Sequence, residues 1–224
     1  IDLVIVNLYP FEEVSSINKS DEFECINNID IGGPTMVRAA AKNFKNVVIL
    51  SDPSNYEQFV NEIQKTGQIS IKTRKLFATK AFETTAYYES LISNWFNRDN
   101  PDYCISKSSI PLSKISNLRY GENPHQKAAY YKFGKSAFTK IHGKDLSFNN
   151  IYDLESAISV STEFNKCSCV IVKHGNPCGV ALDKLQHKAY EKAFRCDEIS
   201  AFGGVVAFNN KLTEKTAALI NKIF

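Results

Sequence analysis

Lys173 and His174 are the adjacent pair in this sequence best suited to acid–base chemistry. They follow the apolar residues 169–172 and precede the turn-forming residues 175–179. Histidine titrates near neutral pH, and a neighbouring lysine ammonium favours the neutral, basic form of the ring. A buried strand that ends in such a turn can hold both side chains in a cleft. The cluster therefore predicts a general base beside a cation.

A zinc site is the competing interpretation of the same cluster. Zinc deaminases use a His-x-Glu pair and a Pro-Cys-x-x-Cys segment. Here Asn176 stands where the Glu is needed, and no second cysteine follows Cys178 at the required spacing. Both halves of the zinc pattern fail, so the sequence predicts no metal at this site.

A second cluster, Asp30 with Gly32 and Gly33, precedes helix-forming sequence that contains Lys42. Unpaired N–H groups at a helix N-terminus attract anions, so this turn predicts an anion site. We expect the helix over residues 36–43, with Lys42 one to two turns into it. The pattern is neither a Walker A loop nor Gly-x-Gly-x-x-Gly, and a tight turn beside a surface lysine is the alternative.

Two further clusters place polar residues beside apolar segments or turns. Arg119 and Tyr120 open the polar residues 119–126. Arginine can fork onto a phosphate and tyrosine can stack on a base, although a structured interdomain loop is an equal alternative. Asn7 and Tyr9 follow a strand-like run, at the end where open α/β sheets bind ligands. The alternative there is a turn with Tyr9 packed on the sheet.

In the first half of the chain, strands and helices alternate around these clusters. Buried strands are predicted at residues 2–6 and 47–50. Asp52 is expected to cap a helix that starts at Pro53 and stops at Gly67. This alternation is typical of a parallel α/β sheet.

A long helix is predicted over residues 70–97, and a polar boundary segment follows it. The second half then contains predicted strands at residues 128–132 and 169–173, a helix that starts at Asp153 and a helix over residues 184–196. We expect an α/β fold in two domains, residues 1–112 and 113–224.

Composition excludes several classes of protein. The 27 basic and 24 acidic residues give a net charge of only +3, which does not favour nucleic-acid binding. No apolar stretch approaches the roughly 20 residues of a membrane helix. The cysteines are too sparse for a disulfide scaffold and predict reduced thiols in a cytoplasmic protein. They are Cys25, Cys104, Cys167, Cys169, Cys178 and Cys196.

Both ends of the sequence fall inside predicted elements. Ile1 lies within the first strand-like run, and Phe224 lies within an amphipathic helical pattern that has no Gly or Pro stop. We therefore expect an internal piece of a longer protein.

Five motifs in this order resemble those of the bifunctional purine-biosynthesis family that combines AICAR formyltransferase with IMP cyclohydrolase. They are residues 7–11, 29–43, 118–126, 172–181 and 199–204, and the resemblance spans essentially the whole chain. It implies an incomplete cyclohydrolase domain similar to methylglyoxal synthase. The start of a transformylase domain, cytidine-deaminase-like but working without zinc, would follow.

The resemblance also implies an activity and partners. The family carries out the last two steps to IMP: formyl transfer from 10-formyltetrahydrofolate to AICAR, then cyclisation of formyl-AICAR with loss of water. It implies a cytoplasmic homodimer, with the transformylase site built across the dimer. The expected ligands are AICAR, formyl-AICAR, IMP and reduced folate, without metal, nucleic acid or membrane.

In the transformylase part, the motifs assign roles by resemblance. Lys173 and His174 match the catalytic pair, with His174 removing a proton from the aromatic amine of AICAR. Lys173 would stabilise the developing oxyanion or assist the leaving folate nitrogen. Arg119 and Tyr120 match AICAR-contacting residues, and Gly203 matches a backbone contact.

In the cyclohydrolase part, Tyr9, Asp30 and Lys42 match site residues, and Asn7 lies beside them. Lys42 and the two glycine amides would stabilise oxyanion charge, while Tyr9 and Asp30 would handle protons. The family's phosphate loop would precede Ile1, and its folate contacts and a further catalytic histidine would follow Phe224. A truncated, catalytically inactive nucleotide-binding remnant of the enzyme is therefore the alternative function; a purely structural α/β module is disfavoured.

Overall fold

The computed structural model describes residues 1–17, 21–100, 105–134 and 138–223. They fall into two units, the first extending to Ser113 and the second starting at Lys114, with a short stretch at Phe133 grouped with the first. The first unit contains β1 (Leu3–Ile5), α1 (Phe11–Ser15), α2 (Glu22–Asn27), α3 (Gly32–Lys42), β2 (Val48–Leu50), α4 (Tyr56–Thr66) and α5 (Ile71–Asn97).

The core of the first unit forms around the short sheet. β1 and β2 pair in parallel, with Leu3 opposite Val48 and Ile5 opposite Leu50, as the alternation predicts. β2 is fully buried, and its side chains pack with those of α3 and α5. The sheet and these two helices therefore hold the loops that follow each strand.

β1 is more exposed than the predicted buried strand. Leu3 is 36% exposed and Ile5 is 51% exposed, whereas Val4 packs against the core. Because successive side chains of a strand point to opposite faces, only the face toward the helices is covered within the described chain. The apolar sequence of residues 2–6 could not show that one face of β1 is exposed.

The cap at Asp52 and the stop at Gly67 are as predicted, but the α-helix between them starts later than Pro53. The Asp52 carboxylate accepts a hydrogen bond from Ser54 N at 2.8 Å. Pro53 starts a single 3₁₀ turn, and the α-helix α4 begins only at Tyr56. Gly67 ends it with φ of 73°, a left-handed conformation that suits glycine.

The segment after β1, which reads as a polar stretch in the sequence, forms the short helices α1 and α2. Phe11, fully buried at the start of α1, meets Tyr88 and Trp95 of α5 edge-on, with ring centroids 6.2 and 5.9 Å apart. This aromatic cluster fixes the segment that carries Tyr9.

The second unit is built on a three-stranded sheet in the order β6–β5–β7. Its elements are β3 (Leu112–Asn117), β4 (Ala129–Phe133), α6 (Phe148–Thr162), β5 (Ser168–Lys173), β6 (Asn176–Leu182), α7 (Gln186–Cys196), α8 (Glu198–Ala201), β7 (Val205–Phe208) and α9 (Glu214–Ile220). β3 pairs with β4 in a separate sheet.

The central strand β5 pairs antiparallel with both neighbours. Val170 and Val172 pack with α6, while Cys169 and Ile171 pack with α7, so the helices cover opposite faces. This placement brings the end of β5 close to α6.

Two boundaries in the second unit correct the sequence prediction. α6 begins at Phe148, five residues before the expected start at Asp153, because Ser147 and Asn150 form a capping box. Residues 176–179 belong to β6 rather than to a long turn. β6 is an edge strand, where Pro177 is tolerated.

No helix in the described ranges is both long and apolar enough to cross a membrane. Cys169 is buried and Cys196 is exposed. Two residues named above, Cys104 and Phe224, lie outside the described residues.

Candidate functional site

The tip of the β5–β6 hairpin carries His174. His174 and Gly175 form a two-residue connection between the paired residues Lys173 and Asn176. Their φ angles are 54° and 75°, which matches a turn in which both central residues are left-handed. In the described chain, His174 is the one residue other than glycine with positive φ. Its side chain is exposed, so a solvent-accessible imidazole stands on a strained, tightly defined turn.

Helix α6 packs against this turn. The Asp153 carboxylate accepts a hydrogen bond from Gly175 N at 2.6 Å. A Cβ placed on Gly175 would lie 2.6 Å from Tyr152 Cζ, so only glycine fits against that ring. Asn176 Nδ2 donates to the His174 carbonyl oxygen at 3.1 Å. The turn is therefore held from both sides.

The same helix contacts the predicted Arg119 cluster. Arg119 Nη2 donates to Asn150 Oδ1 at 3.0 Å, and the guanidinium carbon lies 5.4 Å from the Tyr120 ring centroid. Phe148 N donates to the Tyr120 carbonyl oxygen at 3.2 Å. The first turns of α6 thus join Arg119 and Tyr120 to the hairpin that carries His174.

Lys173 is oriented by the segment before β7. Its Nζ donates to the Phe202 carbonyl oxygen at 2.8 Å, next to Gly203, whose φ is 75°. Hydrogen bonds from Ser200 lower the pKa of the nearby Asp197 carboxyl, and the charge of Lys173 acts in the same direction. A fixed ammonium, an exposed imidazole and an exposed guanidinium suit the binding and deprotonation of an anionic ligand.

The remainder of the 119–126 cluster is a closed loop. Gly121 N donates to the Gln126 carbonyl oxygen at 2.9 Å, and Asn123 N donates to Gln126 Oε1 at 2.8 Å. Gln126 thus closes the loop onto Gly121 and Asn123, as the structured-loop alternative expects.

In the first unit, Asp30 is fixed by three hydrogen bonds around it. Asp30 Oδ1 accepts from Gly33 N at 2.7 Å, and Asp30 N donates to Tyr88 Oη at 2.8 Å. Tyr88 Oη in turn donates to the Asn28 carbonyl oxygen at 3.0 Å. A Cβ on Gly33 would lie 2.8 Å from Asp30 Cγ, so this close approach requires glycine.

Asn7 and Tyr9 lie after β1, near the loop that follows β2. Tyr56 Oη donates to Asn7 Oδ1 at 3.4 Å. Tyr9 is 55% exposed rather than packed on the sheet. Both side chains are thus at the carboxyl end of the parallel pair, where α/β sheets bind ligands.

Lys42 is not brought next to Gly32 and Gly33. α3 starts at Gly32 instead of the expected residue 36, so Lys42 is the last residue of an 11-residue helix. At about 1.5 Å per residue, this puts it roughly 15 Å along the axis from Gly32. Lys42 and Gly32 are both exposed.

One face of α5 carries polar residues that the sequence reading missed. Lys80 donates to the buried Asn55 side chain, and Ser51 Oγ donates to Thr84 Oγ1 at 3.5 Å. Tyr88, 6% exposed, completes the series at a spacing of four residues. This i, i+4 spacing of polar groups within an amphipathic helix is the signal that could have identified them.

Within the described part of the chain, no three His, Cys, Asp or Glu side chains lie close enough together to hold a metal ion.

The chain is similar to known proteins along its full length. The model of the AICARFT/IMPCHase bienzyme family matches residues 40–224. The bifunctional purine biosynthesis protein PurH of Caldicellulosiruptor bescii is 48% identical over all of this chain and 45% of its own length. PurH of Clostridium botulinum is 47% identical, with the same two coverages.

The chain thus spans about half the length of these curated relatives. A solved structure titled Crystal structure of ForH covers 45% of this chain and 52% of its own, at 30% identity and a TM-score of 0.37.

Proposed function

The chain belongs to the AICARFT/IMPCHase bienzyme family, and we propose that the natural protein catalyses the last two steps to IMP. The first is formyl transfer from 10-formyltetrahydrofolate to the amine of AICAR. The second is closure of formyl-AICAR to IMP with loss of water. The observation that carries the proposal is the linkage of the Arg119, Lys173 and His174 motifs through α6, in a chain that matches this family along most of its length.

For formyl transfer, the amine nitrogen forms a bond to the formyl carbon as the bond from that carbon to the folate N10 breaks. His174 takes the proton that the amine loses, which its exposed ring on a rigid turn supports. The Lys173 ammonium stabilises the oxyanion or assists the departing nitrogen. Arg119 and Tyr120 bind AICAR, and Gly203 offers a backbone contact.

The second site, for cyclisation, comprises Tyr9, Asp30 and the glycine turn in the first unit. The carboxamide nitrogen bonds to the formyl carbon, and the formyl oxygen leaves as water. Tyr9 and Asp30 move protons, the amides at the start of α3 stabilise oxyanion charge, and Lys42, at the opposite end of that helix, supplies positive charge to the ligand. Asn7 contributes to the same site. The remote position of Lys42 makes it the member most in need of a test.

The domain assignment belongs to the same proposal. Residues 1–112 are the methylglyoxal-synthase-like cyclohydrolase part, and residues 113–224 begin the cytidine-deaminase-like transformylase part. We further propose a cytoplasmic homodimer that uses reduced folate as cosubstrate and no metal.

The test is an assay of both steps with the purified natural protein. Formyl transfer is followed with AICAR and 10-formyltetrahydrofolate, and cyclisation is followed separately with formyl-AICAR. We expect both activities, with loss of formyl transfer in His174→Ala and loss of cyclisation in Lys42→Ala. Nucleotide binding without either reaction would instead support the inactive remnant. Unchanged cyclisation in Lys42→Ala would remove that residue from the site.

A further inference from the structure

The hairpin tip that carries His174 is held by a hydrogen bond from Asn176 within the hairpin and by contacts from α6. Left-handed backbone is uncommon for residues other than glycine and persists where the surrounding structure holds it. Asn and Gly are the residues usually found at the first position of such a turn, whereas this chain has His174 there. Any relaxation of the turn would move the imidazole.

Asp153 is the group that fixes the turn from the side of α6. Its carboxylate is largely buried, at 9% exposure for the residue, and it reaches across 22 residues of sequence to Gly175 N. The 2.6 Å distance is that of a short hydrogen bond. Within the described chain no Lys or Arg ammonium or guanidinium forms an ion pair with this carboxylate. Its recorded partner is therefore the turn itself.

The same helix also orients the ligand-binding arginine. Asn150, three residues before Asp153, accepts the hydrogen bond from Arg119. Tyr152 packs its ring against Gly175. One helical turn thus sets the position of the hairpin relative to Arg119.

We propose that Asp153 is a positioning residue for formyl transfer, holding the His174 imidazole in its reactive orientation through the Gly175 amide. This inference rests on the proposed function of His174 as the base. A displacement of about 1 Å in a catalytic group can cost on the order of 100-fold in rate. Asp153 acts on the reaction only through the hairpin.

The experiment compares Asp153→Ala with Asp153→Asn in the natural protein. The alanine variant removes the acceptor, so kcat for formyl transfer should fall about 10- to 100-fold, with KM for AICAR within about threefold. Asparagine keeps an oxygen acceptor and should restore kcat to within about fivefold of wild type. Cyclisation of formyl-AICAR, measured on the same samples, should stay unchanged because its proposed site lies in the first unit. Circular dichroism of the same samples reports whether the substituted protein is folded.

A double variant separates positioning from general destabilisation. If Asp153 acts through His174, then adding Asp153→Ala to His174→Ala should cost less than about threefold further. A full additional loss, or equal impairment of the alanine and asparagine variants, would overturn the inference. So would wild-type kcat in Asp153→Ala. Should the alanine variant be unfolded by circular dichroism, Asp153→Leu, which fills the space without an acceptor, replaces it.

The proposed function fails by a different result. If the wild-type protein shows no formyl transfer, or His174→Ala keeps wild-type kcat, then the assignment of His174 is wrong. In that case the Asp153 variants would be read only as effects on hairpin stability.

Discussion

His174 combines a backbone conformation that favours another residue with a side chain suited to proton transfer. Its φ of 54° favours Asn or Gly, and its ring is exposed at the tip of a hairpin. Strain of this kind persists where the surrounding structure fixes it, and here Gly175 is held by Asp153. At position 174, the stability of the turn therefore favours Asn or Gly, whereas the proposed proton transfer requires the imidazole of histidine.

Replacing His174 by asparagine should change the free energy of unfolding and the rate of formyl transfer in different ways. Asparagine tolerates the left-handed turn, so we expect the free energy of unfolding to be unchanged or raised by up to about 1 kcal/mol. Formyl transfer should fall by at least about 100-fold, because the general base is lost. Urea unfolding and steady-state kinetics measure the two effects.

The matched control is His142→Asn, at an exposed position away from the hairpin. It should leave both quantities near wild type. A His174→Asn variant with normal formyl transfer would show that the imidazole is not the base.

Cys169 gives a prediction for alkaline pH. Burial raises the pKa of its thiol from 9.0 to about 12, because the folded core disfavours the thiolate. The neutral thiol is favoured in the folded state, so its contribution to stability is complete below pH 9. It is lost as the pH rises from 9 toward 12.

Midpoints of urea unfolding, measured between pH 8 and 11, test whether the Cys169 contribution to stability is lost at alkaline pH. The wild-type protein should lose more stability over that range than Cys169→Ala, which lacks the titrating group. Cys196→Ala, which removes an exposed thiol of α7, should retain the wild-type pH dependence. Equal slopes for wild type and Cys169→Ala would refute the burial argument.

Two helices, α6 and α5, organise the two candidate sites. α6 joins Arg119 to the His174 hairpin, and α5 holds the loop that carries Asp30 through Tyr88. Each does so with a buried polar group. Such groups are stabilising when paired and costly when left unpaired.

Tyr88→Phe removes a single oxygen from the loop that carries Asp30. Asp30 N and the Asn28 carbonyl lose their shared partner, so unfolding of the first unit should become easier by about 1–3 kcal/mol. Cyclisation should slow while formyl transfer stays at the wild-type rate. Separate assays of the two steps, with urea unfolding, measure this.

Tyr87→Phe is the control, because its hydroxyl bonds to the exposed Glu12 instead of the Asp30 loop. Equal effects of the two substitutions on cyclisation would contradict the role given to Tyr88.

Much of the element pattern could be predicted from sequence. The buried strands β2 and β5 and the long helix α5 have strong apolar patterns, and Ser70 and Gly67 mark boundaries. The edge strand β6 could not be recognised, because its Gly and Pro are typical of turns. Its glycine is needed for a different reason, since a Cβ on Gly179 would meet the backbone of Ala193.

The candidate sites were only partly accessible to the same reasoning. Local motifs made Asp30, Arg119, Lys173 and His174 candidates, and their roles stay predictions. Asp153 and Tyr88 could not be found, because their partners lie 22 and 58 residues away in sequence and depend on tertiary packing. Lys42 lies further along α3 than the one to two turns expected, because the helix begins at Gly32.

At the scale of the whole molecule, each unit carries one cluster of candidate residues. Tyr9, Asp30 and Tyr88 belong to the first unit, and Arg119 and His174 belong to the second. If each cluster serves one of the two reactions proposed above, each reaction can be removed by substitution without loss of the other.

The most direct measurement is the rate of both steps in the natural protein and in His174→Asn and Tyr88→Phe, with each step assayed from its own substrate. We expect His174→Asn to lose formyl transfer and keep cyclisation, and Tyr88→Phe to slow cyclisation and keep formyl transfer. Absence of both reactions in the wild-type protein, or parallel loss of both in either folded variant, would contradict this expectation.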